Sequence, residues 1–135
     1  MTAQKFFEQR FYALCAGDYS ALYDSYHHDA PFRQQFSGHD AYIRFAQQHL
    51  GFVEIKNWHC LRQRVIDETQ LEVLLVMEIA TDTGDQLFYE LALLIKTDTG
   101  WRYHSAQKLG VDDYSGLPDK IDFHHFDSVA SKIRF

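Results

Sequence analysis

The chain has 135 residues, 46% of them hydrophobic and 24% charged, with a formal net charge of −6. That length makes one domain with a core of its own, and the acidic balance argues against a nucleic-acid or anionic-membrane partner. No apolar run reaches the roughly 20 residues of a membrane-spanning helix, and the first residues lead straight into an amphipathic pattern rather than a signal peptide, so a cytoplasmic protein is expected.

Residues 3–16 predict a helix with Phe7, Phe11, Leu14 and Cys15 on one stripe. Gly17 ends it, and Asp18 is placed to cap a second helix over 19–26. His27-His28-Asp29-Ala30-Pro31 predicts a turn, because the residue before a proline avoids the helical region. A short strand is expected over 32–36. Ser37 and Asp40 have the spacing of a capping box opening a third helix, with Tyr42, Phe45, Ala46, His49 and Leu50 on its apolar side and Gly51 as its stop. Four strands are predicted next, over 52–66, 69–80, 86–97 and 101–111. The turns between them are Asp67-Glu68, Thr81-Asp82-Thr83-Gly84-Asp85 and Asp98-Thr99-Gly100. Such short connections make every pairing antiparallel. Beyond Val111, residues 112–118 read as a linker and 122–134 as a last helix with Phe126, Val129 and Ile133 on one stripe, docking on the domain or on a second copy. The domain is therefore set at 1–111, with 112–135 a C-terminal linker and docking helix.

The turns suggest a register. Asn57 falls opposite Glu78, His59 opposite Val76, Glu78 opposite Tyr89, Leu91 opposite Gln107 and Ile95 opposite Tyr103. One face then carries Asn57, His59, Leu61, Leu74, Val76, Glu78, Tyr89, Leu91, Trp101, Tyr103 and Gln107, and it reads as the core face. The other carries Arg62, Arg64, Val73, Leu75, Met77, Phe88, Glu90, Leu94 and Lys108, charged at its margins and apolar in the middle. A single β-bulge would exchange the faces beyond it.

The order helix, helix, short strand, helix, four antiparallel strands resembles the nuclear transport factor two-like superfamily, which includes the SnoaL-like proteins. The residues that carry the likeness are Phe11 to Asp18 with Leu22-Tyr23, Asp29-Ala30-Pro31-Phe32, Gly38 before the third helix, and Gly100-Trp101-Arg102-Tyr103 opening the last strand. The resemblance implies an α+β fold in which a cone-shaped, curved antiparallel sheet packs on three N-terminal helices. It further implies an apolar pocket in the cone and a homodimer through the outer sheet face. The apolar middle of the second face (Val73, Leu75, Met77, Phe88, Leu94) is the expected interface. Such a fold does not fix a function.

Glu78 is the candidate base. It interrupts an apolar run with a carboxylate, and burial raises a carboxyl pKa into the range useful for proton transfer. The competing reading is a strand-end carboxylate touching water or a cation. His59 and Tyr89 are the accompanying catalytic candidates, and Asn57, Tyr103, Gln107, Trp101 and Tyr23 the candidate ligand contacts. Glu90, on the other face, is expected to pair with Lys108. The histidines include the adjacent pairs His27-His28 and His124-His125, with no His-x-His or His-x-x-x-His, so no metal is expected. Cys15 and Cys60 both lie among apolar residues and are expected buried and reduced, with a disulfide between them left open. Two functions follow. One is a pocket for a small, largely apolar organic ligand, with cofactor-free acid–base chemistry of the isomerase, dehydratase or cyclase type if it is an enzyme. The other is a non-catalytic ligand-binding or protein-interaction module.

Overall fold

A computed structural model of the protein describes residues 2–127. Helices α1 (Ala3–Ala16), α2 (Tyr19–Ser25), α3 (Pro31–Gln34) and α4 (His39–His49) precede strands β1 (Ile55–Val65), β2 (Gln70–Thr81), β3 (Gly84–Thr97) and β4 (Gly100–Leu109). A short 3-10 turn at Pro118–Lys120 and helix α5 (Phe123–Asp127) follow. The fold is α+β, a curved sheet in the antiparallel order β1-β2-β3-β4 with the N-terminal helices on one face. Among the described residues no helix is long and apolar enough to cross a membrane.

Local chemistry explains most boundaries. Thr2 caps α1 by accepting the Lys5 N–H at 3.1 Å. Asp18 accepts the Ala21 N–H at 3.1 Å and opens α2. The β2–β3 and β3–β4 turns are pinned alike, with Thr81 Oγ1 donating to the Gly84 carbonyl at 2.6 Å and Thr97 Oγ1 to the Gly100 carbonyl at 2.8 Å.

Two local expectations are corrected. Residues 32–36 contain no strand; Pro31 starts the one-turn helix α3, its fixed φ suiting the first helical position. Phe32 and Phe36, four apart, come together with ring centroids 5.3 Å apart, and both meet Phe45. A single turn is too short to show helical periodicity. Nor does the capping box form: Gly38 is the N-cap of α4, without a side-chain bond.

The larger correction concerns the faces of the sheet. The helices cover the face of Val73, Leu75, Ala92, Leu94 and Ala106, which sequence reading assigned in part to a dimer interface. Leu74, Val76, Tyr89, Leu91 and Leu109 lie on the outer face, where Ile121 and Phe126 of the C-terminal segment bury them. Asn57 pairs with Glu78, His59 with Val76 and Leu91 with Gln107, as expected. The β2–β3 pairing is displaced by two residues, so that Glu78 faces Leu87 and Val76 faces Tyr89, which preserves the faces. Three irregularities do not, one of which, between Ile55 and Asn57, sets Ile55 opposite Ile79 on the cavity side. A shift between Cys60 and Arg62 sets Arg62 opposite Leu74, and one between Leu93 and Leu94 sets Tyr103 opposite Leu94. Arg62 and Arg64 thereby reach the outer face, and Tyr103 turns to the helices. Arg62 donates to the carbonyls of Ile121 and Asp119 at 3.1 and 3.2 Å, and the Arg64 guanidinium lies 4.3 Å from the Phe123 ring centre. The last helix thus docks on its own domain as far as Asp127; the rest of the expected span, including Val129 and Ile133, lies outside the described residues.

Candidate functional site

Between the helices and the sheet lies a cavity of about 330 Å³. Its walls are apolar, with Phe7, Phe11, Phe32, Phe45 and Phe88 among them, and Leu50, Val53, Ile55 and Ile79 line it where the α4–β1 connection meets the sheet. Phe52, in that connection, is 88% exposed. Besides Tyr89, the polar lining comes from α1 (Arg10), the end of α2 (Tyr26), α4 (Tyr42), β3 (Glu90) and β4 (Tyr103, Lys108), and these last six group together.

These groups form one connected set. Arg10 donates to Ser25 Oγ and, at 3.2 Å, to the Tyr26 hydroxyl. Its guanidinium carbon lies 4.6 Å from the centre of the Tyr26 ring and 4.1 Å from that of Tyr103, so the cation sits between two π faces. Burial opposes its charge, but Tyr26, Tyr103 and Glu90 outweigh burial and hold its pKa above the ordinary value. Burial, then the Glu90 carboxylate, pushes the Tyr103 phenol well up. Burial also pushes Tyr42 up, with Tyr26 beside it. Both phenols are therefore neutral donors near pH 7. Glu90 is only 7% exposed, touches Tyr103, and meets Lys108 Nζ at 3.7 Å, the pairing expected from sequence.

The residues singled out from sequence are distributed differently. Glu78, Asn57, His59 and Gln107 lie on the outer face, away from this cavity, and Asn57 and His59 are exposed. Gln107 is buried, with Nε2 3.4 Å from the Phe126 carbonyl, and so serves the C-terminal segment. Tyr89 lines part of the cavity, but its ring packs edge-on against Tyr114, 5.2 Å away, in the outer cluster. Trp101 and Tyr23 pack in the helix-side core without lining the cavity. Tyr103 alone of them joins Arg10 and Glu90, brought there by its bulge. Arg10 and Glu90 were missed as site residues; for Arg10 the available signal was a charge three residues after Phe7 and four before Leu14, inside the apolar stripe of α1.

Other reactive groups are accounted for. Both cysteines are free, and Cys15 is exposed rather than buried because it lies beyond the packed stripe of α1. Burial pushes the Cys60 thiol up to about 11. His27, His28 and Asp29 place one ligand-type atom each within 4.8 Å of one another. However, His27 Nδ1 accepts the Asp29 backbone N–H at 3.1 Å, so a neutral His27 carries its proton on Nε2 and offers no second lone pair to a cation.

No protein-family profile matches the chain, and no curated protein matches it. A solved structure from Nostoc punctiforme, a domain of unknown function with a cystatin-like fold, is similar with a TM-score of 0.57 and 15% sequence identity, over 95% of this chain and 85% of that one. The likeness shows the fold alone. What the cavity does rests on its own lining: a planar cation held between rings, a carboxylate between a phenol and an ammonium, and apolar walls.

Proposed function

We propose that the protein is a small-molecule-binding domain of the nuclear transport factor two-like type, whose cone-shaped interior takes a small, largely apolar organic ligand. The N-terminal helices followed by four antiparallel strands support the superfamily, although a one-turn helix stands in place of the short strand. The observation that carries the function is the apolar cavity of about 330 Å³ on which Arg10, Tyr26, Tyr103 and Glu90 converge. An apolar pocket with a few convergent polar groups is the usual form of a ligand site, and this volume lies at the small end of the range. A homodimer through the outer face has less support, because Ile121 and Phe126 already cover its apolar patch.

The test uses a neutral aromatic ketone, 2-acetylnaphthalene, with the full chain. Saturable binding by wild type, lost in I79W, is expected, since Ile79 lines the cavity and indole bulk there would fill it. Saturable binding of neither this ketone nor its carboxylate counterpart 2-naphthoate, or equal binding by a folded I79W, would overturn the pocket reading.

A second reading adds proton transfer, favoured by Glu90 standing at the cavity wall between Tyr103 and Lys108. It assigns the base to Glu90 rather than to Glu78. In D2O, wild type should then accelerate exchange of the ketone's methyl protons and E90Q should not. Binding without acceleration leaves the non-catalytic module.

A further inference from the structure

The charged side chains that line the cavity are Arg10, Glu90 and Lys108, two cations and one carboxylate. Glu90 and Lys108 answer each other across 3.7 Å. Arg10 is left with neutral partners: Ser25, Tyr26 and the two tyrosine rings. Glu90 acts on it electrostatically without forming an ion pair, among the described residues. A guanidinium has five N–H donors, and two of them find acceptors here. Arg10 is half-buried, and a cation even partly withdrawn from water without a counter-charge is costly. Ring faces recover part of that cost, and an anion delivered by a ligand would recover more through charge-assisted, planar bonding to the fork. A neutral ligand would leave the imbalance in place, a cation would worsen it, and a dianion would reverse it.

Size limits the rest of the molecule. At a water's share of liquid volume, about 30 Å³, 330 Å³ holds on the order of ten non-hydrogen atoms. The walls of Phe7, Phe11, Phe32, Phe45 and Phe88 suit a flat aromatic or similarly apolar body.

We propose that the ligand is an organic monoanion, a carboxylate on an aromatic or similarly apolar body of naphthalene size, with its head on Arg10 and its body among the phenylalanines. This rests on the pocket reading above and narrows it to one charge class.

The experiment compares 2-naphthoate with 2-acetylnaphthalene, two molecules of nearly the same shape that differ by an oxyanion in place of a methyl group. Titration of the full chain should show naphthoate binding more tightly by on the order of tenfold. R10Q, checked for folding by its thermal melt, should bind both equally. If both bind wild type equally, the charge class is wrong and the pocket reading stands. If neither binds, the pocket reading fails as well. A naphthoate preference that survives in folded R10Q overturns the role of Arg10. Crystals of wild type soaked in naphthoate decide the orientation without any variant: a carboxylate on Arg10 supports the proposal, and one turned away from Arg10 overturns it.

Discussion

Replacing Phe126 by Ala tests the assignment of the two sheet faces. The ring is fully buried against Leu74, Val76, Leu91, Leu109 and Ile121. A buried phenylalanine covers roughly 150–250 Å², and at about 25 cal/mol per Å² its removal costs up to about 4–6 kcal/mol before allowance for a compact unfolded state. Measured Phe→Ala losses in cores centre on about 3–5 kcal/mol. The helix that carries it is short and sits at one end of the described chain, so the segment can also undock locally, and the loss cannot exceed the free energy of docking. About 3 kcal/mol is therefore expected, a large part of the stability of a domain this size. Urea unfolding followed by tryptophan fluorescence reads it as a lower midpoint. Deleting residues 118–135 should then cost at least as much, because it removes Ile121 and the acceptors of Arg62 too. A loss below about 1 kcal/mol for F126A would mean that the segment does not form part of the core, and the outer patch would need another cover.

Three further outcomes follow from single sites. Cys15 is exposed while burial pushes the Cys60 thiol up to about 11, so an aromatic disulfide reagent at pH 8 should label Cys15 quickly and Cys60 slowly; equal rates would contradict the packing of Cys60. Burial, with His28 next, holds His27 below its ordinary value of 6.5. The unfolded chain then binds the proton more tightly, so the His27 contribution is present above 6.5 and lost as pH falls through the lower folded value. H27Q should accordingly lose less melting temperature than wild type between pH 7.5 and 5, and an unchanged slope would refute the shift. Gly17 ends α1 at φ 72°, with no atom near the position a Cβ would take. G17A should cost about 1 kcal/mol from the backbone alone in a urea titration, and a neutral result would place the helix end elsewhere.

The elements were legible where the chemistry is local. Asp18, Gly17 and the two Thr-x-x-Gly turns act within a few residues of themselves, and so sequence reading placed α1, α2 and the hairpins closely. Alternation along β2 and β3 was also readable. What alternation could not say was which side the helices take. The outer face looked like the core because Leu74, Val76 and Leu91 are apolar, yet they are covered by residues more than ten positions beyond β4. The helix side looked like an outer, dimer-forming face because Glu90 and Lys108 stand at the margins of its apolar middle, and a charge lining an internal cavity reads the same in sequence as one facing water.

The polar set itself depends on an irregularity that no pattern announced. By strict alternation from Gln107 and Ser105, Tyr103 would point outward. The shift between Leu93 and Leu94 instead pairs Tyr103 with Leu94 and turns its ring inward, where it meets Arg10 and Glu90. The backbone secures that placement, since Tyr26 bridges to Tyr103 and the His27 N–H donates to the Tyr103 carbonyl at 2.8 Å. One extra residue in β4 therefore joins a cation on α1 to a carboxylate on β3 through a single phenol. Arg10 and Glu90, eighty positions apart, become parts of one site because a strand departs from its own period.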